Sequence, residues 1–371
     1  MNLKQAQSKI NSRESTTKEI LDYYLSNYKE YNDKYRLLVS INEHLQADVD
    51  YMDYEIKLGK LRSHLHGIPF IVSDLINTKN LPTTLGLKAF ENEIALESEP
   101  FIKRLKSKGL IFFGKSNPSV QQYLKLSEDE ILFYETINPY NSDNINSLAL
   151  AIHFDLVPVG FDINLDGEAL KTAASLNLVS IKLSKKLVPL KDNSFNLLSN
   201  GLVIVSHDVL DLAFLLNEIV SDKTKKALYG KNLHSYVSDT FNSISNFHVA
   251  TTFEDLTELK MLGLDVRCIK PHFKAFKNER PIKNHPSFNE LNEKSQFNLD
   301  DFLESRKLDI LIMDEMIEEV KNLSNPILSI LINRSGVKHT YYLIAKTYNE
   351  DKLITLAENL TEFRADEILN G

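Results

Sequence analysis

The stretch that most constrains this sequence lies between His66 and Ser119. Ile68, Phe70, Ile71 and Val72 form a short apolar run directly after Gly67, the pattern of a strand buried on both faces. Pro82-Thr83-Thr84 and Gly86 carry turn chemistry. Pro100 then opens a helical segment through Lys106, at a position where its missing N–H would be unpaired in any case. Gly109 stops that segment, and Leu110-Ile111-Phe112-Phe113 supplies a second buried strand. Strand, helix, strand is a βαβ unit, because two parallel strands require a crossover connection. A chain built around such a unit is an α/β protein.

The flanking sequence extends this frame. Thr16 with Glu19 forms a capping box, and Ile20, Leu21, Tyr24, Leu25 and Tyr28 follow at helical spacing. An extended segment at 37–41 and a helix from Leu45 to near Gly59 precede the βαβ unit. A short helix is expected at 121–126. Strands are expected at 178–181 and 201–206, and Asp208 caps a helix carrying Val209, Leu212, Leu215, Leu216 and Ile219. Helix and strand follow at 254–261 and 263–269. Residues 270–300, rich in Lys, Asn, Pro and Glu, read as an exposed connection. Strands at 308–313, 327–332 and 340–345 lead to a last helix capped by Asn349.

Composition excludes several functions. The formal charge of −8 opposes nonspecific nucleic-acid binding, which needs a cationic surface. No apolar run approaches the ~18 residues of a membrane span, and the first residues lack a signal-peptide core, so the cytoplasm is the expected location. Cys268 is the single cysteine, expected as a small buried apolar side chain. The 12 glycines in 371 residues are few beside an average of about 7%. Sites that cradle phosphates or oxyanions on backbone N–H groups draw on glycine. Gly109 to Ser116 matches the phosphate-loop pattern letter for letter. Its four variable residues, however, are themselves the buried strand, so nucleotide binding is not expected.

Leu65-His66-Gly67-Ile68-Pro69, Asp74, Pro82-Thr83-Thr84-Leu85-Gly86 and Leu105 to Gly114-Lys115-Ser116-Asn117 together resemble the opening block of the amidase signature family. That family includes amide hydrolases and a component of the glutamyl-tRNA amidotransferase. The resemblance implies one α/β domain over 1–371, with a mixed, mostly parallel sheet flanked by helices. Within it, residues 1–60 are N-terminal helices and 66–220 the core region. A shortened middle follows at 221–307, then C-terminal strands and a helix at 308–371.

The family's chemistry uses a lysine, a relay serine and a nucleophilic serine, with backbone N–H groups holding the oxyanion. Aligned on Val157-Pro158, the resemblance puts Ser73 at the lysine position, Asn144 at the relay and Glu168 at the nucleophile. Asp74, Asp166, Gly167 and Ser116 are the further pocket residues. A serine hydroxyl is too weak a base for the lysine's work. The expectation is therefore an amidase-like protein that kept the fold and discarded the reaction, acting in binding, scaffolding or regulation. The alternative is an amide hydrolase whose acid–base chemistry was rebuilt on Asp74 and Glu168, since facing carboxylates split their acidities.

Asp162-x-Asn164-x-Asp166-Gly167 matches half of a calcium loop, but position twelve is Ala173. His64 and His66 form an HxH pair expected to be structural. No metal and no cofactor are expected. The expected partners are another protein or a second copy of this chain, and a small-molecule ligand; neither nucleic acid nor a membrane is expected.

Overall fold

The computed structural model describes residues 1–118, 127–141, 143, 145–165, 167–191, 201–230, 234–269, 299–317, 320, 323–334 and 337–370. The expected helix at 121–126 and nearly all of the connection at 270–300 lie outside these residues, as do Asn144 and Asp166.

The strands are β1 (Leu38–Ile41), β2 (Pro69–Ser73), β3 (Ile111–Ser116), β4 (Gly160–Ile163), β5 (Val179–Lys182), β6 (Leu202–Ser206), β7 (His248–Thr251), β8 (Asp265–Cys268), β9 (Ile310–Met313), β10 (Ile327–Arg334) and β11 (Val337–Ala345). They form one sheet in the order β1-β3-β2-β4-β6-β5-β10-β11-β9-β7-β8. The mixed α/β architecture expected from the sequence stands. Parallel pairing is confined to two patches, β3-β2-β4 and β8-β7-β9, and the remaining pairs are antiparallel. Among the described strands parallel pairs are thus the minority.

The βαβ unit forms as the sequence dictates. β2 and β3 pair in parallel, with Val72 beside Lys115 and Ser73 beside Ser116. Pro100 occupies the first turn of the helix Pro100–Ser107, whose Phe101, Ile102 and Leu105 are buried. Gly109 adopts φ +90, and a Cβ there would meet His66 Nδ1 at 2.5 Å. Glycine is required at this point for conformation and for space. His66 itself is structural: its Nδ1 accepts from the Arg62 N–H at 3.3 Å and its Nε2 faces the Met52 carbonyl at 3.3 Å.

The phosphate-loop match is refuted by the same strand. Gly114 lies inside β3 against β1, where a Cβ would meet the Ser40 carbonyl oxygen at 2.3 Å. A residue pinned between strands cannot wrap a phosphate. Cys268 corrects the sequence reading: it is exposed, because β8 ends the sheet and only Val266 of its four residues is buried. The helix Leu3–Asn11 was not anticipated, although Asn2 and Gln5 form a capping box. β7 and the helices Asp222–Tyr229 and Tyr236–Asp239 were also missed.

Candidate active site

Two polar assemblies stand at the carboxyl ends of the parallel strands β3, β2 and β4. The first is closed. Asp74 follows β2 directly and Lys115 sits in β3, both fully buried. Lys115 Nζ donates to Asp74 Oδ1 at 3.1 Å, to the Pro82 carbonyl at 2.5 Å and to Thr83 Oγ1 at 2.8 Å. The other carboxylate oxygen, Asp74 Oδ2, accepts from the Thr84 N–H at 3.1 Å and from the Thr84 hydroxyl. Burial pushes the Asp74 carboxyl up and the Lys115 ammonium down, and their mutual attraction opposes both shifts. Three donors on the ammonium meet three acceptors, so the ionic form is the one this geometry stabilises. The pair clasps the loop 82–84 onto the ends of β2 and β3. Asp74, expected as one of two reacting acids, is therefore a positioning group sealed from substrate.

The second assembly reaches solvent at one end. Asn146 caps the helix Ser147–His153 by accepting the Ala149 N–H, and its Nδ2 donates to Asp162 Oδ2 at 2.9 Å. The Asn146 N–H donates to Thr172 Oγ1 at 3.1 Å, and that hydroxyl donates onward to Glu168 Oε1 at 3.2 Å. Glu168 begins the helix Glu168–Ser175 and is half-buried. Its N-cap, Gly167, adopts φ 80 and offers no side-chain cap to the first-turn N–H groups. Negative charge is stabilised at a helix N-terminus. Glu168 is thus oriented by its own helix, four residues from Thr172, and stays accessible to water.

Ser73 and Glu168 leave the same edge of the sheet, because β2 and β4 are parallel neighbours. Ser73 Oγ accepts from the Leu75 N–H at 3.4 Å. Ser116 is buried and its Oγ has no hydrogen-bond partner. Ser147 donates to the Asn117 carbonyl. Asp162 accepts from the Ile163 N–H at 2.8 Å besides Asn146, so this carboxylate is engaged within the fold rather than presented as a calcium ligand. Among the described residues, no group of three or more His, Cys, Asp or Glu side chains could hold a metal ion. No helix among them is long and apolar enough to cross a membrane.

Sequence reasoning missed Asn146 and Thr172, and met Lys115 and Thr84 only as members of a motif. Both missed residues had a signal. Thr172 is four residues after Glu168, the spacing at which helical side chains meet, and Asn146 precedes an apolar run as an N-cap should.

Residues 19–146 match the amidase family model. Over this stretch the chain is similar to the amidase family. It is 25% identical over 250 residues to a glutamyl-tRNA(Gln) amidotransferase component of Caldanaerobacter subterraneus, covering 63% of this chain and 50% of that one. It is 31% identical over 102 residues to an acylamidase of Rhodococcus erythropolis, covering 28% and 21%. The matches thus span about half the length of these curated relatives or less. In fold, the amidase likeness extends to the whole chain. The peptide amidase of Stenotrophomonas maltophilia superposes with a TM-score of 0.81 at 16% identity, over 98% of this chain and 96% of that one.

These findings overturn the expectation of a protein that discarded its reaction. The relatives are named as an acylamidase and as amidotransferase components, and the structural neighbour is a peptide amidase.

Proposed function

We propose that this protein hydrolyses an amide C–N bond with Glu168 as its general base. The observation that carries this reading is the Asn146–Thr172–Glu168 chain, which orients the carboxylate while the group still reaches solvent at the site edge. A carboxylate held this way can take a proton from water as the water oxygen attacks the amide carbon. The same proton then passes to the departing nitrogen as the C–N bond breaks, giving a carboxylic acid and an amine and restoring the carboxylate. First-turn N–H groups after Gly167 are suited to stabilising the oxyanion. The Asp74–Lys115 clasp sets the loop that borders the site. The relatives named as amidotransferase components support a protein partner as part of the same proposal.

The test is release of free amine from a panel of simple and peptide amides. Turnover by the wild type should fall by about 10²-fold or more in Glu168→Gln, the range of general-base contributions. A panel with wild-type turnover that Glu168→Gln leaves unchanged would remove Glu168 from the mechanism.

A further inference from the structure

Two loops leave the carboxyl ends of β2 and β3 and join beside the candidate site. Leu87 bridges Ile131, the Lys88 N–H donates to the Glu130 carbonyl at 3.0 Å, and the Leu132 N–H donates to the Gly86 carbonyl at 2.9 Å. These loops carry large apolar side chains into solvent: Ile94 is 59% exposed, Tyr134 78% and Leu96 87%, with Phe90 also exposed. Single exposed apolar residues are ordinary. Here four occur on two joined loops at a site edge, which marks an interaction surface.

The charge around them selects the occupant. Glu91, Glu93, Glu128, Asp129 and Glu130 are exposed on the same loops, and Lys88 is the only basic residue within 86–99 and 127–135. Ser127 hydrogen bonds hold the Asp129 and Glu130 carboxyls below the usual range, so both are charged at neutral pH. Glu97, at the far end, is already met by Lys103 and Lys191. A cation is recognised here within the protein itself: Arg36 lies over the Tyr134 ring, 5.0 Å from its centroid. A second copy of this face, a nucleic acid or an anionic membrane would each meet like charge.

We propose that this surface docks a short peptide amide in which basic side chains alternate with apolar ones. Its apolar residues cover Phe90, Ile94 and Leu96, and its cations face the glutamates. That the docked peptide is also the substrate rests on the hydrolase reading above; the docking does not.

The experiment is fluorescence anisotropy with labelled Lys-Leu repeat and Glu-Leu repeat peptide amides, on wild type and on Glu168→Gln. The Lys-Leu peptide should bind both proteins, and the Glu-Leu peptide neither. Binding should weaken on the order of tenfold as salt rises to about 0.5 M, where the screening length is only a few ångströms. The charge reversal Glu91→Lys with Glu93→Lys, and separately Phe90→Ser with Leu96→Ser, should each weaken it with melting temperature unchanged. Equal binding of the two peptides, or indifference to the charge reversal, would overturn the docking site. So would concentration-dependent self-association lost in the Phe90→Ser, Leu96→Ser protein. Selective binding with no amine or ammonia released from any amide would leave the surface standing and remove the hydrolase reading instead.

Discussion

The Lys115–Asp74 clasp and the Asn146–Thr172–Glu168 chain stand at one edge of one sheet, yet they are built on opposite terms. In the clasp every charged atom has a partner and both side chains are wholly buried. In the chain the bonds run outward and lead to a half-buried carboxylate. A buried ion pair sealed on all sides has no capacity left for a substrate, and its contribution is to hold the loop it touches. A carboxylate oriented from within and wetted from outside is fixed in place while water can still reach it. Access to water, rather than charge, separates the structural acid from the one proposed as the general base.

The largest effect should come from breaking the clasp on one side. Lys115→Met strands the Asp74 charge in the interior and should cost about 3–5 kcal/mol in chemical denaturation. Lys115→Met combined with Asp74→Leu should cost clearly less than Lys115→Met alone, because no unpaired charge remains. A double variant no more stable than the single one would show that the clasp is not a self-contained pair.

A second buried acid sharpens the contrast through pH. Ser206 Oγ lies 3.1 Å from the Pro158 carbonyl and 2.8 Å from Asp211 Oδ2. One hydroxyl proton cannot serve two acceptors. The bonding closes if Asp211 is protonated and donates to Ser206, which donates to Pro158. Burial, with Asp208 adding to it, pushes the Asp211 carboxyl from 3.8 up to about 8. Between those values the unfolded chain has released this proton and the native protein keeps it. Stability therefore falls as pH rises through the window, at about 1.4 kcal/mol per pH unit from this group. Asp211→Asn should remove that slope; stability curves for the two proteins that stay parallel from pH 4 to 8 would refute the assignment.

Smaller effects belong to single hydroxyls. Thr172→Val removes the bond to Glu168 and should lower turnover about threefold to tenfold, in line with roughly 0.5–1.5 kcal/mol for a hydrogen bond. Ser147→Ala, which loses the bond to the Asn117 carbonyl, should destabilise by about 1 kcal/mol. Ser116→Ala should be neutral or stabilising, since the Ser116 hydroxyl is buried without a partner. Thermal melts of the two alanine variants side by side would check this ranking.

Much of the scaffold was legible because it is written locally. The Thr16–Glu19 box, Pro100 at a helix start and the apolar runs of β2 and β3 act within a few residues of themselves. The sheet's antiparallel middle was not, because it depends on which distant strands meet: β5 lies between β6 and β10. The same division runs through the site. Glu168 and Gly167 were reached through the family resemblance, aligned on Val157-Pro158. Lys115 was seen only as part of a motif, since its partner Asp74 stands 41 residues away in sequence and the two meet through parallel register. Asn144, singled out in the loop before the helix Ser147–His153, lies outside the described residues. The organising residue there is Asn146, which bonds both Asp162 and Thr172.

The central claim is tested most directly by two isosteric changes measured together, Asp74→Asn and Glu168→Gln, each assayed for stability by denaturation and for turnover of an amide. The account predicts that Asp74→Asn loses several kcal/mol and that Glu168→Gln melts as the wild type does while losing about 10²-fold or more in turnover. The reverse pattern, with Glu168→Gln unstable and active while Asp74→Asn is stable and inert, would contradict it.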